Sequence, residues 1–399
     1  MEWLDILRRI ERGEDAGTEF KSGIGEFSSI RRTLCAFANG DGGLLVVGVD
    51  DSGGIVGVDR NAETVQEQFT SFLQNGCGRP VTAVLGRQPV GNSWVHWIEV
   101  RRHQRGYEPF NTDGRYWIRR GRSTVAPSPS ELQELFNVFG LVLTEQQTIS
   151  SATSDDIDLN AFRAFMKSQG KQMDGDPQPD IENDLRNASV CDWLDKALRP
   201  TLYGLMVFGR DPQGHRHTTS LFIQCVAYAG ADQSAEVMSS GEGKGRIDEQ
   251  VIRSAGWVRS LGRKELYEGL YRVDRPPVPD SALREALVNA VIHRDYALTG
   301  SQILLEVFND RIDVTSPGAL PNHMTVEQAR SGGAPRSRNE MMANAMVVHR
   351  LMERRGRGWL LMRHAMRSFN GTEPRLVNDK ENRCVRVSFC LDPKSPKGG

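Results

Sequence analysis

The run from Asp280 to Asp295 reads Asp-Ser-Ala-Leu-Arg-Glu-Ala-Leu-Val-Asn-Ala-Val-Ile-His-Arg-Asp. As a helix, it places Glu285, Asn289 and His293 four residues apart along one ridge. A carboxylate, an amide and an imidazole in register can activate water or hold a metal–phosphate group. Leu283, Leu287, Ala290 and Val291 fall on the other side, as a stripe that packs on a core. On pattern alone, a solvated polar face is the favoured reading of the ridge. Further on come Ser316-Pro-Gly318 and then Gly356-Arg-Gly358. A Gly-x-Gly ahead of a helix exposes backbone N–H groups at a positive helix end, which suits a phosphate. Each glycine alone reads as a turn.

A second group lies near the N-terminus: Glu14, Glu19 and Asp51. Three carboxylates can bind Mg²⁺ or Mn²⁺ and leave positions for a phosphate and a water. Residues five apart on a helix differ by ~140°. Glu14 and Glu19 therefore converge only if Glu19 leaves the helix for a strand. The plainer readings are a helix-end charge at Glu14, a Glu19–Lys21 pair, and Asp50 and Asp51 capping a turn. Between Arg101 and Arg122 stand seven arginines (101, 102, 105, 115, 119, 120 and 122) among Tyr107, Phe110, Tyr116 and Trp117. Guanidinium groups bind phosphates bidentately and aromatic faces stack bases. The plainer reading is a solvated strand pair with its arginine stems laid along the surface.

These groups need elements to hold them. The pattern predicts a helix over 29–39, a buried strand over 44–49, a turn over 50–54 with a return over 55–58, and strands over 94–100 and 116–119. Ser128-Pro-Ser-Glu131 is a capping box that opens a helix through Phe139. Residues 144–160 are polar and read as a linker. A strand pair is expected at 202–208 and 220–228, a helix at 247–261, and a hairpin at 302–315. A helix near 353–368 and a strand at 383–391 close the chain. The expected domains are 1–143, a linker and α/β connector at 144–277, a third domain at 278–392 and a tail at 393–399. The fold class is α+β, mixed α/β.

Composition narrows the classes. The chain has 399 residues, with 50 basic against 51 acidic side chains. That balance excludes a wholly basic nucleic-acid coat protein, so any such binding needs a local patch. No apolar run approaches the ~18 residues of a membrane span. Six scattered cysteines without a C-x-x-C pair exclude a zinc finger and fit a reducing, cytoplasmic setting. Ser240–Gly245 lacks the spacing and the Ser/Thr of a P-loop. His215 and His217 read as surface residues.

Residues 280–370 resemble the RecG-related C-terminal ATP-binding family, a divergent relative of the GHKL ATPases. The match is Glu285-Ala-Leu-Val-Asn-Ala-Val-Ile-His-Arg-Asp-Tyr296, followed by the Ser-Pro-Gly turn and the Gly-x-Gly. The resemblance implies a water-activating role for Glu285, a Mg²⁺-holding role for Asn289, and a phosphate lid at Gly356 and Gly358. Ser316-Pro-Gly318 stands where these ATPases read adenine with an aspartate. Arg338-Asn-Glu340 stands where the family has Arg-Asn-Pro. ATP binding is thereby implied more than hydrolysis. Residues 8–140 resemble the Schlafen AlbA-like domain, through Glu14, Glu19-Phe-Lys21, Ala36-Phe-Ala-Asn39 and Gly42-Gly…Gly48-Val-Asp-Asp51. That resemblance implies a metal-dependent endoribonuclease site at Glu14, Glu19 and Asp51.

Together they imply an N-terminal Schlafen-like α/β domain, an α/β connector and a C-terminal GHKL-like α/β sandwich. The expected function is metal-dependent cleavage of structured RNA such as tRNA, coupled to nucleotide binding or sensing, in phage defence or stress response. Lys21, Arg101, Arg102, Arg105, Arg115, Arg119, Arg120 and Arg122 would contact the nucleic acid, with RNA favoured over DNA. Glu285, Asn289, Ser316, Gly318, Gly356 and Gly358 would contact the nucleotide. The rival readings are a DNA-binding transcriptional regulator without catalysis and an ATPase without nuclease activity. No membrane partner is expected, and a homo-oligomer is left open.

Overall fold

The computed structural model describes residues 2–25, 27–59, 61–101, 108–139, 143–170, 181–261, 264–268, 271–320, 324–331, 337–353 and 356–391. It divides into two compact units, lying largely within residues 1–142 and 143–399.

The first unit begins with α1 (Trp3–Arg12), β1 (Thr18–Lys21), α2 (Phe27–Asn39) and β2 (Gly43–Val47). Next come α3 (Ala62–Asn75), β3 (Ala83–Val90) and β4 (Ser93–Val100). Short strands follow, β5 (Asn111–Thr112), β6 (Arg115–Tyr116), β7 (Ile118–Arg120) and β8 (Ser123–Val125), and then α4 (Pro129–Val138). The main sheet has the order β1-β2-β4-β3. β1 and β2 run parallel, which requires a crossover, and α2 supplies it. The run Leu44-Leu-Val-Val47 is apolar throughout because both faces of β2 are covered. Leu45 and Val47 join Ile30, Leu34, Phe37 and Phe69 in one core. Leu44 and Val46 join Ile6, Ile10, Phe20 and Trp97 in the other. The expected capping box at Ser128–Glu131 opens α4, with proline in the first turn.

His96 lies on β4 with no exposed surface, edge-on to Phe69. Neither ring nitrogen has a hydrogen-bond partner among the described residues. Burial, with Arg87 adding to it, pushes its pKa down to about 4. The folded state therefore resists a proton that the unfolded chain accepts near 6.5. This contribution is complete above that value and is lost as pH falls towards 4. At ~1.4 kcal/mol per unit, acidification costs the unit on the order of 3 kcal/mol through this group. His96→Phe should flatten that part of the pH–stability curve, measured by urea unfolding between pH 7 and 4.

The second unit contains α5 (Leu159–Ser168), α6 (Ile181–Asn187), β9 (Cys191–Leu194), β10 (Ala197–Pro200) and α7 (Leu202–Phe208). It continues with β11 (Ile223–Tyr228), β12 (Val237–Gly243), α8 (Ile247–Ser260), β13 (Lys264–Glu268) and β14 (Tyr271–Arg275). The last elements are α9 (Asp280–His293), β15 (Ile303–Val307), β16 (Arg311–Pro317), α10 (Val326–Ser331), α11 (Glu340–Val348), α12 (Gly358–Asn370), β17 (Arg375–Asp379) and β18 (Cys384–Cys390). Its sheet runs β12-β11-β15-β16-β18-β17. α8 packs on β11 and β12, α9 on β16, and α12 on α9.

Three expectations change here. The boundary drawn at 277/278 is crossed by the sheet, because β11 pairs in parallel with β15. Residues 202–208 form a helix, not a strand. Every one of them is buried, so periodicity cannot separate the two states, and the Thr201 hydroxyl decides by accepting from the Gly204 N–H at 2.9 Å. Residues 144–160 are packed and not a linker. Glu145 is buried and accepts from the backbone N–H groups of Met341 and Met342 at 3.0 Å each, capping the first turn of α11. Burial raises its pKa.

Candidate nucleic-acid interface

Glu14 follows α1, while Glu19 lies within β1, so the chain does leave the helix between them. β1 is an edge strand, and its Phe20 N–H is taken by Glu14 Oε1 at 2.9 Å. Glu14 Oε2 accepts from Arg122 at 3.1 Å. Glu19 is 8% exposed. Its two oxygens are held by Lys21 Nζ at 2.7 Å and Arg119 Nη1 at 2.6 Å. Asp51 is exposed in the turn after β2. Its neighbour Asp50 holds that turn: Oδ1 accepts from the Ser52 hydroxyl, the Ser52 N–H and the Gly54 N–H at 2.6, 2.9 and 2.8 Å. These bonds, the Ser52 hydroxyl foremost, hold the Asp50 carboxyl below the usual carboxylate range.

The three carboxylates do not fit a divalent ion. Glu19 has both oxygens engaged by cations, and Glu14 has both engaged by donors. Among the described residues, no three His, Cys, Asp or Glu side chains are grouped to hold a metal.

The arginines divide into two sets. Arg119 is buried. Besides Glu19, its guanidinium reaches the Asp15 and Ala16 carbonyls at 2.9 and 3.3 Å and the Thr124 hydroxyl at 2.9 Å. It is a strut inside the unit and cannot reach a phosphate. Arg120 is paired with Glu131 at 2.7 Å and Arg122 with Glu14. Lys21 is paired with Glu19. Arg101 is exposed. Arg102 and Arg105 lie outside the described residues.

Arg115 belongs elsewhere. It is exposed and lines a cleft of about 350 Å³ with Ser28, Arg31, Arg32, Thr112, Asp113 and Trp117. Among the described residues, three guanidinium groups face one carboxylate there. Arg31 approaches Asp113 only at 3.9 Å. Arg32 is steadied by the Ser28 carbonyl and hydroxyl at 3.2 and 3.1 Å and lies 5.2 Å from the centre of the Trp117 ring. The Trp117 indole N–H donates to the Thr112 hydroxyl at 2.8 Å. Asn39, at the far end of α2, fixes the backbone behind the cleft. Its amide donates to the Phe110 and Trp117 carbonyls at 2.8 and 3.0 Å, and its oxygen accepts from the Phe110 N–H at 2.7 Å. The sequence reading missed Arg31 and Arg32. The available signal was two adjacent arginines on the polar face of α2.

In the second unit, Asn289 donates to Glu285 Oε1 at 3.2 Å. Gly358 sits against the same carboxylate so closely that a Cβ would overlap it. Burial raises the Glu285 pKa. Gly356 has φ 61°. These residues stand at the junction of α9 and α12. Ser316 stands against Ala290, next to Asn289, and Gly318 lies past the C-terminal end of α9, beside Asp295. The Ser316 hydroxyl is buried and donates to the Ala290 carbonyl at 2.7 Å. Gly318, with φ +107°, is packed against Asp295 and Arg338. Ser316 thus ties β16 to α9 and does not face a base. His293 is exposed. His215, expected at the surface, is half-buried with Nε2 3.8 Å from Asp156.

Each unit has an α/β fold whose relatives can be named. Residues 14–128 match the family model Schlafen, AlbA_2. Residues 300–389 match that of the putative ATP-dependent DNA helicase recG C-terminal. The chain therefore joins a Schlafen AlbA_2 domain to a RecG-related, HATPase-like C-terminal domain. Among solved structures it resembles the DIP2311 protein from Corynebacterium diphtheriae, at 19% identity and TM-score 0.46, over 94% of this chain and 64% of that one. It thus spans less than two thirds of that protein. It also resembles the N-terminal domain of a putative ATP-dependent DNA helicase RecG-related protein from Nitrosomonas europaea, at 23% identity and TM-score 0.23, over 31% of this chain and 88% of that one. Among the described residues, no helix is long and apolar enough to cross a membrane.

Proposed function

We propose that the N-terminal unit binds nucleic acid through its arginine-lined cleft, without metal-dependent cleavage. One observation carries this reading: Arg31, Arg32 and Arg115 converge around Trp117 with, among the described residues, a single opposing carboxylate. Phosphate contacts dominate nucleic-acid affinity, and guanidinium groups are the side chains best shaped for them. The arginines at 119, 120 and 122 are already paired with glutamates, so they add little net positive potential. The family matches support a nucleic-acid role for this unit and a nucleotide-related role for the other. A nucleotide bound by the second unit would meet Glu285 and Asn289 and not the Ser316 hydroxyl, which is committed to Ala290.

The test is fluorescence anisotropy with labelled RNA and DNA oligonucleotides across a salt series. Each lost phosphate contact removes ~0.7 from the log–log slope on single strands and ~0.9 on duplex DNA. The triple variant Arg31→Ala/Arg32→Ala/Arg115→Ala should flatten the slope by about 1.4 to 2 on single strands, and EDTA should leave wild-type binding unchanged. An unaltered slope in the triple variant would sink the reading. So would EDTA-sensitive RNA cleavage by the wild type in Mn²⁺.

A further inference from the structure

We infer that the cleft takes one unpaired nucleotide, its base entering against Trp117 and Arg32 and its phosphates meeting Arg31 and Arg115, so that the N-terminal unit prefers single strands to duplex. The inference rests on the nucleic-acid reading of the same cleft and names its substrate class.

Four observations carry it. The first is shape. The site is a concavity of about 350 Å³, at the small end of ligand pockets, which run ~300–1,000 Å³. That is room for one nucleotide. A base stacked within a helix cannot enter a concavity, whereas one freed from its neighbours can.

The second is the floor. Trp117 is half-buried, and its orientation is set twice, by the indole N–H on Thr112 and by its own carbonyl on Asn39. A ring held in place loses little freedom when a base stacks on it. The third is Arg32, whose guanidinium already lies over that ring. Planar guanidinium and indole faces stack on any base, which gives binding with little sequence preference.

The fourth is the placement of charge. Arg31 lies one turn into α2, and the carboxylate it approaches, Asp113, stands 3.9 Å away, beyond hydrogen-bond distance. Arg115 follows the Asp113-Gly114 turn, in which both residues have positive φ. This tight reversal sets Arg115 beside Trp117 at the rim. A phosphate on each side of the inserted base would then meet a guanidinium.

The test uses the full chain and oligonucleotides of one sequence, as single-stranded RNA, single-stranded DNA and annealed duplex. The single strands should bind at least about tenfold more tightly. A single stacked base contributes about ten- to a hundredfold in affinity. Trp117→Leu should lose that factor on single strands, while Trp117→Phe, which keeps a stacking face, should retain most of it. A second arm leaves the protein untouched: moving one abasic site along the single strand should reveal a position with the same loss. The single-strand inference is overturned by equal affinity for single strand and duplex, or by an abasic series that binds throughout like the intact strand. If the triple arginine variant is still weakened in that case, the nucleic-acid reading stands. If the triple variant binds everything as the wild type does, both fall.

Discussion

Asn39→Ala should destabilise the N-terminal unit by about 3–6 kcal/mol. The side chain makes three hydrogen bonds to buried backbone: Phe110 N–H, Phe110 C=O and Trp117 C=O. Each group left buried without a partner costs ~1–3 kcal/mol. No neighbouring side chain can stand in, because one amide must offer a donor and an acceptor to strands roughly seventy residues away, and only Asn has that pair at this reach. Asn39→Asp is the sharper control. It keeps the bond to the Phe110 N–H but sets carboxylate oxygens against two carbonyls, so it should be no better than alanine. The measurement is native-state hydrogen exchange of peptides covering 108–118, alongside anisotropy with single-stranded RNA. Protection should collapse and binding should weaken together, since Asn39 also fixes the backbone of Trp117. Intact protection in Asn39→Ala would show that these bonds do not hold the cleft.

Arg119→Met should cost the same unit about 3 kcal/mol or more. Removing one member of a buried pair leaves the other charge buried and costs ~3–5 kcal/mol. Lys21 still contacts Glu19 at 2.7 Å, which keeps the effect near the lower end. The guanidinium also serves the Asp15 and Ala16 carbonyls, so the segment leading into β1 should loosen. Adding Glu19→Gln to Arg119→Met removes the stranded charge and should recover part of the loss. The double-mutant cycle isolates that coupling. Urea unfolding followed by exchange of residues 15–21 reads it directly. If Arg119→Met is neutral while Glu19→Gln abolishes a metal-dependent activity, Glu19 is a ligand and not a partner of Arg119. This experiment therefore separates the structural reading of Glu19 from the catalytic one.

Much of the local structure was legible because its causes lie within a few residues. The periodicity of 280–293 marks α9, and the structure buries Leu283, Leu287, Ala290 and Val291 as that stripe requires. The Ser128–Glu131 box starts α4. The turn at 50–54 and the hairpin of β15 and β16 follow from short-range signals in the same way. Where the signal was ambiguous in kind, the reading failed. The wholly apolar run 202–208 has no period, and the polar run 144–160 hides a buried glutamate whose partners lie 196 and 197 residues away.

By itself, then, the sequence determined the two family-bearing segments, most of their helices and strands, and which side chains could do chemistry. What those side chains touch was decided by tertiary structure alone. Glu19 and Arg119 are 100 residues apart, and nothing in their spacing states that one neutralises the other. Arg31 and Arg32 gained a functional reading only when the chain brought Arg115 and Trp117 beside them. Helix caps and apolar stripes act over one or two turns, so they are written locally. A carboxylate becomes a metal ligand, a strand-edge plug or half of an ion pair according to the charges within a few ångströms, and folding chooses those charges from anywhere in the chain.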